Sequence, residues 1–219
     1  MQNQDLILQQ LKEHKIIAIL RGIHKKQAVQ VADALSRGGI VFAEVTMNTE
    51  GALNIVSQWR ESHSSNMIIG AGTVLDVDMA KEAVQAGAQY LVSPNVDEAV
   101  IHYACERGIA VFPGAMTPTE IVAAWKAGAT AVKLFPMASL GIGYLKEIRA
   151  PLDQIPLIVT GGVRLDNIGD FFAAGSTAVG LGGSLVNGEL LREERYDQIE
   201  KNAAAMVQAV KTCASSLRP

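Results

Sequence analysis

Cys105 and Cys213 are the only thiols in this chain of 219 residues. They lie far apart and form no CxxC spacing, which excludes a disulfide framework and a thiolate metal site and suits a reducing compartment. The chain also lacks any cluster of five or more Lys and Arg. With 19 basic against 22 acidic residues and a net charge of -3, it carries no electrostatic footprint for nucleic acid or an anionic membrane. No apolar run approaches the ~20 residues a membrane span requires. The opening stretch MQNQDLILQQLKEHK has no signal-like apolar core, so a cytoplasmic protein is expected. His14, His24, His63 and His102 form neither HxH nor HExxH, and no metal or cofactor is expected. The two tryptophans, Trp59 and Trp125, suit helix faces packed on a core or a subunit contact. Cys105 reads as packing rather than as a nucleophile.

What is present is a globular composition, 49% hydrophobic and 19% charged, organised by a recurring unit. In ALSRGGIVFAEVT, AVQAGAQYLVSP, ACERGIAVFPG, AAWKAGATAVKLFP and FFAAGSTAVGLGG a helix-like stretch ends in glycine and a β-rich apolar run follows. Gly39, Gly87, Gly108, Gly128 and Gly175 suit helix C-caps that need positive φ. With IIAIL (16–20), MIIGAG (67–72) and LIVT (157–160) the chain has about eight strands alternating with amphipathic helices, such as 25–37 and 78–86. Strict alternation implies parallel strands. The expected fold is α/β, a single (β/α)8 TIM barrel over residues 1–219 with an N-terminal helix at about 4–14. An open Rossmann-like sheet is the alternative, but AILRGI stands where GxGxxG would follow the first strand. The charged stretch from Leu191, LREERYDQIEKNAAAMVQAVK, reads as a solvated amphipathic final helix.

Within this repeat two ionisable residues occupy matching places. Glu44 lies five residues after Gly39 and Lys133 five after Gly128, which puts them at equal depth on the second and sixth strands. Inward side chains of alternate barrel strands share a layer. Period-two alternation puts Ala131, Lys133 and Phe135 on one face and turns Val132 and Leu134 to the helices. Lysine is almost never buried without a partner, since desolvation disfavours its charged form. A neutral inward amine beside a carboxylate is the pairing that a Schiff-base nucleophile and its acid/base partner need. A purely structural ion pair is the other reading, but buried pairs stabilise poorly against apolar replacements.

Thr160-Gly161-Gly162 ends the seventh strand and Gly182-Gly183-Ser184 the eighth. Barrels of this type bind phosphate at those two places through backbone N–H groups. Either pair alone would only mark a turn.

Taken in order, AILRGI, AEVTMNTEGA, IIGAGTVL, QYLVSPN, VFPGAMTPTE, AVKLFP, VTGGV and GLGGSLV resemble the 2-keto-3-deoxy-6-phosphogluconate (KDPG) and 4-hydroxy-2-oxoglutarate (KHG) aldolase family across nearly the whole chain. The resemblance implies a class I aldolase, in which Lys133 attacks the ketone carbon of a 2-oxo acid and Glu44 relays protons through water. Pyruvate is released together with glyceraldehyde 3-phosphate, or with glyoxylate. Thr73 matches the residue that helps hold the pyruvyl carboxylate, and Pro94 and Phe135 match apolar walls. Gly161, Gly162, Gly183 and Ser184 match the phosphate end, and Thr160 before them is taken as substrate-binding by its place at the strand end. The resemblance further implies a small phosphorylated 2-oxo acid as substrate and a homotrimer as the assembly.

One position departs from the gluconate-type pattern, which has EVTLRT where this chain reads EVTMNT with Asn48. Asn supplies no charge for a carboxylate, so Arg21 at the end of the first strand is the candidate replacement. That combination resembles the galactonate-type branch (2-keto-3-deoxy-6-phosphogalactonate aldolase). Two other functions remain open on the residues alone: a phosphosugar epimerase or isomerase, and a non-catalytic phospholigand-binding barrel in which Lys133 only counters charge.

Overall fold

The computed structural model describes residues 3–216, and its framework is a parallel sheet rolled into a barrel. Helix α1 (Asn3–His14) leads into β1 (Ile16–Leu20), a 3-10 turn at Lys25–Gln27 and α2 (Ala28–Arg37). There follow β2 (Phe42–Thr46), α3 (Ala52–His63), β3 (Ile68–Gly72), α4 (Val77–Gln85), β4 (Tyr90–Val92) and α5 (Glu98–Glu106). The second half runs β5 (Ala110–Phe112), β6 (Gly114–Ala115), α6 (Pro118–Lys126), β7 (Val132–Leu134), α7 (Met137–Arg149) and β8 (Leu157–Thr160). It ends with α8 (Ile168–Ala173), β9 (Ala178–Leu181), α9 (Gly188–Arg192) and α10 (Tyr196–Ser216). The strand order β5-β4-β3-β2-β1-β9-β8-β7-β6 is that of eight βα units, β5 and β6 together forming the fifth barrel strand.

Two sequence expectations need correction. The run IAVFPG after Gly108 is not one strand: Pro113 offers no N–H to a ladder, so β5 pairs with β4 and β6 pairs with β7. Pro113 still accepts from the Lys133 N–H at 2.9 Å, which ties the two halves across the junction. The charged C-terminal stretch is two helices rather than one, broken at Glu194, whose φ is 53°. The five glycines proposed as C-caps have φ from 65° to 103°, and IIAIL and LIVT are β1 and β8 as expected.

The barrel has two apolar layers. Val45, Val132, Leu134 and Val159 join the helices in the outer core. Ile17, Phe42, Tyr90, Val92, Phe112, Ala131 and Ile158 fill the interior, and Ile7 and Leu11 of α1 pack onto that cluster from below. The Asn3 and Gln4 side-chain amides fasten α1 by donating to the Gly108 and Ile109 carbonyls at 3.0 and 2.9 Å. Trp59 is fully buried in the outer layer, where its indole N–H donates to Ala28 O at 2.8 Å. Cys105 Sγ–H donates to Gly128 O at 3.2 Å, a packing role between α5 and the chain after α6. No helix among the described residues is long and apolar enough to cross a membrane.

Candidate active site

Lys133 and Glu44 face each other across the upper barrel interior. In register, Glu44 lies between Ile19 of β1 and Gly70 of β3, and Lys133 between Gly114 of β6 and Ile158 of β8. Both side chains line one small interior cavity of about 10 Å3 with Ile17, Ile19, Val92, Phe112, Thr160 and Gly180. Glu44 is 1% exposed and Lys133 8%, and among the described residues they make no ion pair within contact distance. Glu44 Oε2 is buried without a hydrogen-bonding protein partner. Burial pushes the Glu44 carboxyl up to about 7, against the opposing pull of Lys133 and Arg21. Burial likewise depresses the Lys133 amine, Glu44 working against that shift and Arg21 with it. The site therefore weakens both charges, leaving a carboxyl able to give and take protons near neutrality and an amine biased toward its nucleophilic form.

Glycine makes the room this pair needs. A Cβ on Gly72 would come 2.7 Å from Glu44 Cδ, so the carboxyl occupies the space over β3. At Gly114 a Cβ would strike the Pro94 carbonyl group and lie 2.8 Å from Ser93 O. The ends of β4 and β6 therefore meet beside the strand that carries Lys133. On the far side of the amine, the Phe135 ring centroid lies 5.2 Å from Lys133 Nζ.

A cavity of about 610 Å3 opens above, lined by Arg21, Gly161, Gly162, Gly183 and Ser184 among others. Ile19, Thr160 and Gly180 line both spaces, which joins the mouth to the interior. The structure thus brings together Glu44, Lys133, Arg21, Thr160, Gly161, Gly162, Gly183 and Ser184. Gly161 and Gly162 have φ of 103° and 73°, a conformation that is adopted at little cost only without a side chain. Arg21 is seated by its neighbour: Gly22 N–H donates to Thr49 Oγ1, which is 3.0 Å from Thr46 Oγ1. Asn48 is exposed between those threonines.

Thr73 and Pro94 line neither cavity. Pro94 nevertheless backs Gly114, and Thr73 follows β3 at φ 57°. A β-branched residue in that region is strained by about 1–3 kcal/mol, and such strain concentrates at functional sites. Two residues escaped the sequence reading. Arg164 lines the larger cavity and pairs with Asp166 at 3.1 Å; its signal was a lone cation two residues after the seventh-strand Gly-Gly. Tyr90 lies fully buried beneath Glu44, and its only signal was a phenol in an otherwise apolar strand.

Comparison with known proteins agrees with this geometry. A family model described as KDPG and KHG aldolase matches residues 7–202. A protein of Rhizobium meliloti named probable 2-dehydro-3-deoxy-6-phosphogalactonate aldolase is 37% identical over 174 residues, 79% of this chain and 82% of that protein. The KHG/KDPG aldolase of Escherichia coli K12 is 35% identical over 188 residues, 85% of this chain and 87% of that protein. Among solved structures, KDPG aldolase from Legionella pneumophila, with pyruvate captured as a covalent carbinolamine, superposes with a TM-score of 0.85 at 25% identity, covering 94% of this chain and 98% of that one. Fold, site and relatives converge: the chain belongs to the KDPG and KHG aldolase family and is an aldolase, a lyase.

Proposed function

We propose that the enzyme is a class I aldolase that cleaves a phosphorylated 2-keto-3-deoxy sugar acid to pyruvate and glyceraldehyde 3-phosphate through a Schiff base on Lys133. The observation that carries the proposal is a single amine, desolvated in the barrel interior opposite a buried carboxyl whose Oε2 has no hydrogen-bonding protein partner. The neutral Nζ attacks the C2 carbonyl, and loss of water from the carbinolamine gives the iminium. Glu44, as carboxylate, accepts the proton of the C4 hydroxyl while the C3–C4 bond breaks. The bonding electrons pass into the C2–C3 enamine and C4 leaves as the aldehyde. Protonation at C3 and hydrolysis then release pyruvate and restore the amine. The cavity of about 10 Å3 between the two groups is the size of one water, a fit for relayed proton transfer. The carbinolamine captured in the Legionella relative supports this order of events.

Among the described residues, Arg21 and Arg164 are the ionisable ones that line the larger cavity. In the proposed pose Arg21, whose charge reaches both Glu44 and Lys133, takes the carboxylate end with Thr73. Gly161, Gly162, Gly183, Ser184 and Arg164 take the phosphate through backbone N–H groups, a hydroxyl and a guanidinium. Pro94 and Phe135 wall the pyruvyl part. Both substrate classes are at least doubly anionic; the glycine-rich end of the cavity with Arg164 favours a phosphate there over the second carboxylate of 4-hydroxy-2-oxoglutarate, which remains a second substrate giving pyruvate and glyoxylate. The galactonate-type epimer is a second reading, favoured by the uncharged Asn48 where the gluconate-type pattern has arginine and by the similarity to the Rhizobium protein. We further place the enzyme in the cytoplasm as a homotrimer.

Sodium borohydride with pyruvate tests the chemistry. Peptide mapping should locate a reduced pyruvyl adduct on Lys133, and Lys133→Met should lose both adduct and turnover. Full cleavage activity in that variant would rule the imine out. Comparing kcat/KM for the gluconate, galactonate and hydroxyoxoglutarate substrates then identifies the preferred one.

A further inference from the structure

Beneath Glu44 the barrel interior holds a second polar group that the reaction outlined above does not use. Tyr90 is fully buried, packed between the tilted rings of Phe42 and Phe112 with centroids 5.6 and 5.4 Å away. Its hydroxyl has no hydrogen-bonding protein partner, the same condition as Glu44 Oε2. A buried phenol normally finds a partner, because an unmet hydroxyl keeps its full desolvation penalty. Phenylalanine would fill the same aromatic layer without that penalty.

Strand β3 shows where the two groups sit. A Cβ on Gly70 would come within 2.5 Å of Tyr90 Cε2 and 2.6 Å of Cε1, and a Cβ on Gly72 within 2.7 Å of Glu44 Cδ. Gly70 and Gly72 lie on one face of the strand, roughly 7 Å apart along it. The phenol therefore lies across the pleat directly below the carboxyl. We infer that Tyr90 is a positioning residue for Glu44, its hydroxyl donating upward to the carboxylate through one water, and so holding the general base in its active orientation and charge state.

The inference rests on the reading of Glu44 as the base. The ionisable groups facing Glu44 are few: Lys133 from β7, Arg21 from the end of β1 and Tyr90 from β4. Burial, with Glu44's charge adding to it, pushes the Tyr90 phenol well above its ordinary range. It stays a protonated donor throughout the working pH range. A donor to the ionised form favours ionisation, so loss of the hydroxyl should make Glu44 harder to ionise.

Tyr90→Phe tests this in the full-length enzyme. The acid limb of kcat/KM should move to higher pH by about one unit, the scale of one hydrogen bond to a charged group. Activity on that limb at fixed pH should fall about tenfold. The borohydride-trapped pyruvyl adduct on Lys133 should form as in wild type, and the melting temperature should hold or rise. Phe42→Leu, which disturbs the same aromatic layer without removing a hydroxyl, should leave the limb in place. An unmoved limb in Tyr90→Phe, or an equal movement in Phe42→Leu, overturns the inference. Absence of the adduct in wild type would instead overturn the Schiff-base reading itself.

Discussion

Glu44→Gln should change how stability depends on pH, and the size of the change follows from burial. The ordinary glutamate value of 4.5 rises to about 7 in the fold, chiefly by desolvation. Below pH 4.5 both folded and unfolded states hold the proton. Between 4.5 and about 7 the folded state keeps a proton that the unfolded chain has lost, so stability declines as pH rises and levels off above about 7. That interval corresponds to roughly 3 kcal/mol at about 1.36 kcal/mol per pH unit. Glutamine carries no such slope. The stability of Glu44→Gln relative to its parent should therefore improve by roughly 3 kcal/mol between pH 4.5 and pH 8. In the wild-type background part of this gain is offset, because Lys133 loses its counter-charge. The cleaner comparison is Lys133→Met against Lys133→Met/Glu44→Gln, where that offset is gone and Glu44 is harder still to ionise. Urea denaturation at the two pH values supplies the measurement, and titrations common to both chains cancel in the difference. An identical difference at pH 4.5 and pH 8 would mean that Glu44 is hydrated in the fold, and the picture of a dry catalytic interior would fail with it.

Arg164→Ala should raise KM for the phosphorylated substrate about tenfold or more, the scale of one charge-assisted hydrogen bond. It should leave cleavage of hydroxyoxoglutarate nearly unchanged; steady-state kinetics on both substrates show whether the effect follows the phosphate. Gly72→Ala forces the Glu44 carboxyl out of its place, so kcat should drop about 10²-fold or more with loss of positioned acid-base catalysis. Its thermodynamic cost should be about 1–3 kcal/mol, readable by denaturant titration; wild-type turnover in the folded variant would show that the carboxyl has no fixed position.

Much of the architecture could be read because local and global signals agree in this chain. Each C-capping glycine marks both a helix end and the count to the next strand. That is why Glu44 and Lys133 could be put at one depth before any coordinates. Pro113 hid its effect: in sequence it stands in the middle of an apolar run, and only the pairing shows that the missing N–H divides the strand. Glu194 was equally silent, since nothing local announces φ of 53° in a run of good helix formers. Tyr90 and Arg164 were missed for a different reason. Their meaning depends on what lies opposite them, Glu44 for one and the glycine-lined cavity for the other, and long-range juxtaposition leaves no periodic trace. The placement of His63 was also invisible, its ring set 2.9 Å from Asp33 Oδ1 of a neighbouring helix.

Helix α1 has a kinetic consequence. Among the described residues, it packs Ile7 and Leu11 against the lower end, so that the interior cavity communicates with solvent through the upper mouth. In the proposed pose the aldehyde fragment sits toward the entrance and the three-carbon enamine at the bottom, so departure must be sequential, the phosphorylated piece first. Traffic through that mouth also shields the enamine from stray electrophiles until its companion has gone.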